Sequence, residues 1–353
     1  MGNCMSQHDV VAKARSDAIE CQLDEDWRRQ RNECKILLLG SGESGKSTMV
    51  KQMKIIHQNG FSNEELMTYR LIIYRNTLDN AQAIVCAMHK IGLKCVDPNN
   101  RANVDRILYY WIDPSLTFEF SPEIARAIYQ LWQDPIIPKL MDHRSEFYIM
   151  DNAHYFFADV LRIGAPNYIP TADDVLRARV KTRGVTETRF TMGQQEIRLL
   201  DAGGQRSERK KWIHCFENIT SIIFFAPLSE YDQVLLEKKS QNRMVESLML
   251  FESIINSKWF SKTSIILLLN KIDIFKTKLP KVPLEQYFPN YTGGADINKA
   301  AKYILWNFMQ TNRAHLSIYP HLTQATDTTN VRLVFAAAEE MILQNALKDS
   351  SIL

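Results

Sequence analysis

Cys34-Lys35-Ile36-Leu37-Leu38-Leu39 runs straight into Gly40-Ser41-Gly42-Glu43-Ser44-Gly45-Lys46-Ser47, and Thr48 to His57 follows. The apolar run reads as a short buried strand, the eight residues after it fill G-x-x-x-x-G-K-S, and the last segment reads as a helix. Strand, glycine loop and helix in that order are the context that gives this motif meaning. Gly40, Gly42 and Gly45 let the backbone turn tightly, so that successive N–H groups face one anion. The helix N-terminus adds the positive end of its dipole. Lys46 is expected to reach the β- and γ-phosphates and the Ser47 hydroxyl to ligate Mg²⁺. The bland alternative is a glycine-rich turn before a helix. The loop by itself implies a nucleoside triphosphate without naming the base.

A second apolar strand, Ile265-Ile266-Leu267-Leu268-Leu269, ends in Asn270-Lys271-Ile272-Asp273. In an N-K-x-D loop the Asp273 carboxylate can accept from guanine N1–H and from the exocyclic amine. Adenine carries neither donor and would leave a buried, unpaired charge. The Lys271 stem can cover the ring face, and Asn270 is expected to tie this loop to the first. An Asn-Lys turn closing a strand is the bland reading. Between the two loops lies Asp201-Ala202-Gly203-Gly204-Gln205, preceded by Leu176-Arg177-Ala178-Arg179-Val180-Lys181-Thr182. Asp201 at a strand end suits Mg²⁺ through water, Gly204 brings a backbone N–H to a γ-phosphate, and Gln205 suits orientation of a water. Thr182 suits a second Mg²⁺ hydroxyl, and Arg179 suits charge stabilisation on a transferring phosphoryl group. Singly, each is an ordinary turn or surface residue; their order along the chain carries the reading.

With these motifs in place the chain resembles the α subunits of heterotrimeric G proteins over essentially all its length. The resemblance rests on Gly40–Ser47, Lys51–His57, Arg177–Thr182, Asp201–Phe216, Asn270–Asp273 and Thr323-Gln324-Ala325-Thr326-Asp327-Thr328. It implies a GTPase that cycles between GTP and GDP with Mg²⁺, Arg179 and Gln205 being catalytic. It also implies a nucleotide site of Glu43, Ser44, Gly45, Lys46, Ser47, Thr48, Asp151, Leu176, Arg177, Gly204, Asn270, Lys271, Asp273 and Ala325. Ser47, Thr182 and Asp201 would hold the metal, and the Ala325 N–H would meet guanine O6. Arg209 is expected to pair with Glu246 in the GTP state, Glu43 with Arg179, and Asp151 with Lys271. The implied fold is α/β, a Ras-like P-loop domain with a mostly parallel six-stranded sheet plus an inserted all-helical domain. The expected boundaries are 1–33 for an N-terminal helix, 34–60 and 178–353 for the GTPase domain, and 61–177 for the insertion.

Composition agrees with two domains. A chain of 353 residues holds about two at the usual domain size. Its net charge of +3 and the lack of basic stretches interleaved with aromatics give no reason to expect nucleic acid. The six cysteines form no C-x-x-C pair or metal-ligand spacing, as expected of free thiols in a reducing compartment. No apolar run reaches the roughly 18 residues of a membrane span. Met1-Gly2-Asn3-Cys4-Met5-Ser6 instead fits N-myristoylation at Gly2, with Cys4 placed for palmitoylation. Residues 8–32 read as one amphipathic helix through Val11, Ala14, Ala18, Ile19, Leu23 and Trp27. In the family this helix binds the βγ dimer, and the chain is expected at the cytoplasmic face of the plasma membrane. A G-protein-coupled receptor, an effector such as adenylyl cyclase, and a regulator of G-protein signalling (RGS) complete the implied partners.

Further elements are read from pattern. Leu66–Met88 and Ile124–Ile149 have helical spacing, with linkers near Phe61-Ser62 and Ile169-Pro170-Thr171. Phe190-Thr191-Met192 and Gln195–Leu200 read as a hairpin, and Ser221–Phe225, Ser264–Leu269 and Ile318–Thr323 as further strands, the last weakened by Pro320. Asn330 to Leu347 reads as a final helix with a free tail, Lys348–Leu353. The ending Asn345–Leu353 resembles a fungal class linked to cyclic-AMP signalling. Five positions depart from the family pattern: Ala202 for Val, Arg183 for Thr, Lys238 for an acid, Ser350 for a cysteine that pertussis toxin modifies, and Ser351 for Gly. Two alternatives stand beside the GTPase reading. Asn270–Asp273 argues against a metabolic ATPase or kinase, and Arg179 and Gln205 argue against a non-hydrolysing nucleotide-bound scaffold.

Overall fold

The computed structural model describes residues 15–22, 33–115, 118–193, 195–235, 238, 240–261 and 263–349. Gly2, Cys4, most of the expected N-terminal helix and residues 350–353 of the tail lie outside them. Within that helix, residues 15–22 are helical and exposed (α1).

Six strands form one sheet in the order β2-β3-β1-β4-β5-β6. They are β1 (Glu33–Gly40), β2 (Val185–Met192), β3 (Gln195–Ala202), β4 (Ser221–Pro227), β5 (Ser264–Asn270) and β6 (Ile318–Leu322). Only β2 and β3 pair antiparallel; the other four ladders are parallel. Side chains alternate across a strand, and β1 serves two cores accordingly. Leu37 and Leu39 join Phe224, Phe251 and Phe308 on one face. Ile36 and Leu38 join Met49, Met53, Val331 and Phe335 on the other. A sheet covered on both faces needs apolar residues at successive positions, which is why β1, β4 and β5 read as unbroken hydrophobic runs. Pro320 is tolerated because β6 is an edge strand with one neighbour.

Helices α2 (Lys46–His57) and α14 (Thr328–Asp349) cover one face. Helices α11 (Arg243–Ile255) and α13 (Ile297–Gln310) cover the other. Short helices α10 (Arg206–Arg209) and α12 (Ile272–Lys278) follow β3 and β5 at their C-terminal ends. The final helix runs two residues past the expected Leu347, since neither Gly nor Pro interrupts it.

Between α2 and β2 the described residues hold helices and no strand: α3 (Asn63–Ile91), α4 (Asn100–Tyr109), α5 (Pro122–Trp132), α6 (Ile136–Met141), α7 (Ala153–Ala158), α8 (Val160–Ile163) and α9 (Ala172–Arg177). They enclose a third core around Tyr74, Phe120, Phe156 and Phe157. A Ser62–Glu65 capping box starts α3, and Gly92 ends it in the left-handed conformation at φ 80°. The helical pattern over 124–149 is broken into α5, α6 and a 3₁₀ turn at Arg144–Glu146. Pro135 disfavours helix at Asp134, and the Asp134 carboxylate accepts instead from the N–H groups of Val96, Asp97 and Ile136. The stretch Ile169–Thr171 leads into a second capping box, Thr171 with Asp174, at the start of α9. The fully buried Asp174 also accepts from Arg162, Tyr155 and Tyr168. The chain passes to β2 only after α9, through residues 178–184.

Candidate nucleotide site

The first loop, Asn270, Lys271, Asp273, Gln324–Thr326 and the 176–182 segment line one cavity of about 310 Å³ at the C-terminal ends of the parallel strands. Ligands bind at this end of open α/β sheets. Gly45 begins α2 at φ 110°, and a Cβ there would stand 2.2 Å from Asn270 Nδ2. That space is used: the Asn270 amide donates to Ser44 O at 2.7 Å and its oxygen accepts from the Ala325 N–H at 3.0 Å. Ala325 thereby sits at the cavity wall, its N–H held by the Asn270 carboxamide. Among the described residues none hydrogen-bonds the half-buried Asp273 carboxylate, which borders the cavity beside Lys271 and Ala325. Leu176 and Arg177 line the opposite wall, where Thr48 Oγ1 reaches Leu176 O at 3.5 Å.

Lys46 Nζ donates to Gly40 O at 3.0 Å and Ser41 O at 2.8 Å. Burial pulls its pKa down to about 8, which leaves an ammonium short of counter-charge at the foot of the loop. Gly204 closes this corner. A Cβ on it would lie 2.5 Å from Gly40 O, Ser41 O and Lys46 Nζ alike, so only glycine fits. Gln205 is half-buried, with its Cγ 3.4 Å from the place a Cβ on residue 42 would take.

Ser47 and Thr182 bring their hydroxyls within 2.8 Å of each other, and Ser47 Oγ donates to Asp201 Oδ2 at 2.6 Å. Asp201 Oδ1 is buried with no hydrogen-bond partner, and burial raises its carboxyl above the ordinary range. Two converging hydroxyls beside an orphaned carboxylate oxygen fit Mg²⁺, which takes one or two protein oxygens and completes its shell with phosphate and water. Behind this corner Gly203 O accepts from the Trp212 indole at 2.9 Å. Ala202 is wholly buried there, paired with Val185 across the β2–β3 ladder. Arg183 and Lys238 are exposed.

Charged pairs run across the mouth of the cavity. Arg179 Nη2 meets Glu43 Oε1 at 2.5 Å, and Lys271 Nζ meets Asp151 Oδ2 at 2.7 Å. Burial raises the Asp151 carboxyl, but the Lys271 ammonium and its hydrogen bond prevail and hold it at about 2. Glu43 and Lys271 both have left-handed backbone, at φ 68° and 62°, a conformation unusual outside glycine. Arg209 Nη1 lies 2.7 Å from Glu246 Oε1.

Sequence reasoning missed four members of this network. Buried Glu230 binds Lys271 at 2.8 Å and Arg243 at 2.7 Å. Arg243 in turn donates to Gly42 O at 2.7 Å and stands 3.8 Å from Glu43. Arg206 grips Glu246 with two hydrogen bonds, at 2.9 and 2.6 Å. Tyr148 donates to Glu43 Oε2 at 2.6 Å. Glu230, in the 3₁₀ turn just after the apolar strand β4, carried a positional signal; Tyr148 carried none.

A family model described as G-protein alpha subunit matches residues 13–342. A guanine nucleotide-binding protein subunit alpha of Cryptococcus neoformans is 67% identical over 341 residues, covering 97% of this chain and 79% of the relative. The guanine nucleotide-binding protein alpha-3 subunit of Ustilago hordei is 64% identical over the full length of both chains. The alpha-2 subunit of Saccharomyces cerevisiae is 52% identical over 91% of this chain and 73% of its own. With the phosphate loop, the N-K-x-D loop and the helical insertion gathered on one cavity, these matches settle the assignment: the chain belongs to the G-protein alpha subunit family.

Proposed function

We propose that this GTP hydrolase works as a timed switch whose helical insertion, residues 61–177, is clasped over the nucleotide by two ion pairs. The observation that carries the reading is the pairing of Asp151 with Lys271 and of Arg179 with Glu43. Asp151–Lys271 joins the insertion to the N-K-x-D loop, and Arg179–Glu43 ties the segment returning from the insertion to the phosphate loop. In this reading Glu43 to Thr48 and Gly204 hold phosphates, Leu176 and Arg177 border the ribose side, and Asn270, Lys271, Asp273 and Ala325 form the base pocket. Ser47, Thr182 and Asp201 would hold Mg²⁺, which neutralises charge on the phosphate oxygens when bound. Asp201, already accepting from Ser47, orients that hydroxyl. Gln205 aligns the attacking water and Arg179 stabilises charge on the γ-phosphoryl group. Arg206 and Arg209, both on Glu246, fix α10 against α11 and supply the ordered form of the switch.

Weakening a clasp tests the lid. Asp151→Lys puts a second cation beside Lys271, and GDP release is expected to rise on the order of tenfold, as loss of about 1.4 kcal/mol would give. Release of a fluorescent GDP analogue reads this directly; a parental rate would dismiss the lid.

The resemblance further supports a βγ dimer, a seven-helix receptor, an effector such as adenylyl cyclase, and an RGS regulator as partners. No helix among the described residues is long and apolar enough to cross a membrane. In this reading the attachment points are Gly2 and Cys4, which fit the acylation pattern. A myristoyl chain alone binds reversibly, whereas two acyl chains anchor stably. Gly2→Ala is expected to move the cell-expressed chain from the membrane pellet to the supernatant. Equal sedimentation of variant and parent would reject the anchor.

A further inference from the structure

Both clasps are touched from one short stretch. Residues 147–150 leave the 3₁₀ turn at Arg144–Glu146 without helical structure and lead to Asp151. The Met150 N–H donates to Asn80 Oδ1 on α3 at 3.0 Å, which fixes the stretch beneath the cavity mouth. From it Asp151 reaches Lys271, and Tyr148 reaches the other clasp.

Tyr148 sits at the hub of that second clasp. Its hydroxyl donates to Glu43 Oε2 at 2.6 Å and accepts from Arg179 Nη1. The guanidinium carbon also lies 5.7 Å from the centre of the Tyr148 ring. Arg179 Nη2 takes the other carboxylate oxygen of Glu43, so three side chains close a ring of hydrogen bonds. Burial and the Glu43 charge push the Tyr148 hydroxyl above its ordinary value, so it stays protonated and donates. The backbone of Arg179 is bracketed by Asn76, which accepts from its N–H at 2.6 Å and donates to its C=O at 3.2 Å. With the backbone held, only the Arg179 side chain needs to rotate to exchange Glu43 for a phosphate oxygen.

We propose that Tyr148 is a positioning residue that parks the Arg179 guanidinium on Glu43, so that its hydrogen bond must break before Arg179 can turn to the γ-phosphoryl group. The inference rests on the assignment of Arg179 as the charge-stabilising residue. Tyr148 thereby sets two rates with one hydroxyl: it slows nucleotide release by tightening the clasp, and it slows hydrolysis by favouring the parked side chain. Tyr148 itself touches no reacting atom.

Tyr148→Phe keeps the ring and removes the hydroxyl. In the full chain it is expected to raise both GDP release and single-turnover GTP hydrolysis by about threefold to tenfold, the range of one ordinary hydrogen bond. A purely structural role would lower thermal stability and leave the chemical step unchanged or slower. In a Glu43→Gln background, where the ring of hydrogen bonds is already broken, the same substitution is expected to add less than about twofold. An unchanged or reduced hydrolysis rate in Tyr148→Phe, or an undiminished effect in the Glu43→Gln background, overturns the proposal. Arg179→Lys separates the two levels. If it slows hydrolysis while Tyr148→Phe does nothing, the parking role falls and the Arg179 assignment stands. If Arg179→Lys itself leaves hydrolysis at the parental rate, the assignment falls and takes the parking role with it.

Discussion

Arg179→Leu is expected to lower single-turnover GTP hydrolysis by about 10³-fold, the lower end of what an arginine on the transferring phosphoryl group contributes, G-protein alpha subunits as a class supplying theirs within the chain. The buried cations around the phosphate loop are committed elsewhere. Lys46 is buried and committed to the carbonyls of Gly40 and Ser41. Lys51 is held by Val175 O and Ala178 O at 2.8 and 2.7 Å. Arg243 is buried on Glu230 and Gly42 O. Arg179 alone among these lines the cavity with its backbone pinned and its guanidinium on exchangeable side-chain partners. A pre-positioned guanidinium acts where charge develops in a site poor in water, so its loss falls on the chemical step. Nucleotide affinity is expected to change far less, apart from faster GDP release once Glu43 loses its partner. Gln205→Leu should slow the same step, and the double variant should fall short of the product of the two effects, as groups acting on one transition state do. Phosphate release from preloaded chain measures both; a drop below about tenfold in Arg179→Leu would remove it from this role.

The parts of the molecule that were legible in the sequence are those where one residue type answers one local demand. The strand ahead of Gly40, the left-handed Gly45 and the crowded Gly204 are dictated by backbone sterics within a few residues. The two-sided burial of β1 and β5 is written as unbroken apolar runs. Where the sequence reading drifted, a long-range partner decided. Ile124–Ile149 has helical periodicity, yet Asp134 ends α5 by capping N–H groups around Val96, far away in the chain. Tyr148, Glu230 and Arg243 belong to the site only because α3 and α11 bring their segments to the same loop, which spacing alone does not encode. Ala202 illustrates a different limit. Its burial fits the loss of apolar volume expected from its sequence departure, a change on the order of 1–3 kcal/mol.

Asp273→Asn is expected to weaken GTP binding by about 10²–10³-fold and to reverse the preference between guanine and xanthine nucleotides. The carboxylate is placed by a turn in which Lys271 takes φ 62° and α12 begins immediately after. Phe275 anchors that helix in the core, so an isosteric change on the cavity side of its first turn leaves the scaffold in place. Guanine presents two donors along one edge, N1–H and the 2-amino group, and an ionised carboxylate accepts both. A carboxamide faces one of them with its own N–H₂, so a charge-assisted hydrogen bond becomes a donor–donor contact inside the pocket. Xanthine carries a carbonyl at position 2, which accepts from that same amide. Adenine has neither the N1–H nor the 2-amino group, so ATP should bind weakly to parent and variant alike. Equilibrium competition of GTP, XTP and ATP against a fluorescent GDP analogue reads all three at once. Parental GTP affinity in the variant would mean that the base is held elsewhere in the cavity. Loss of GTP binding with a gain of XTP binding would assign base recognition to the Asp273 carboxylate, since a damaged loop would lose both.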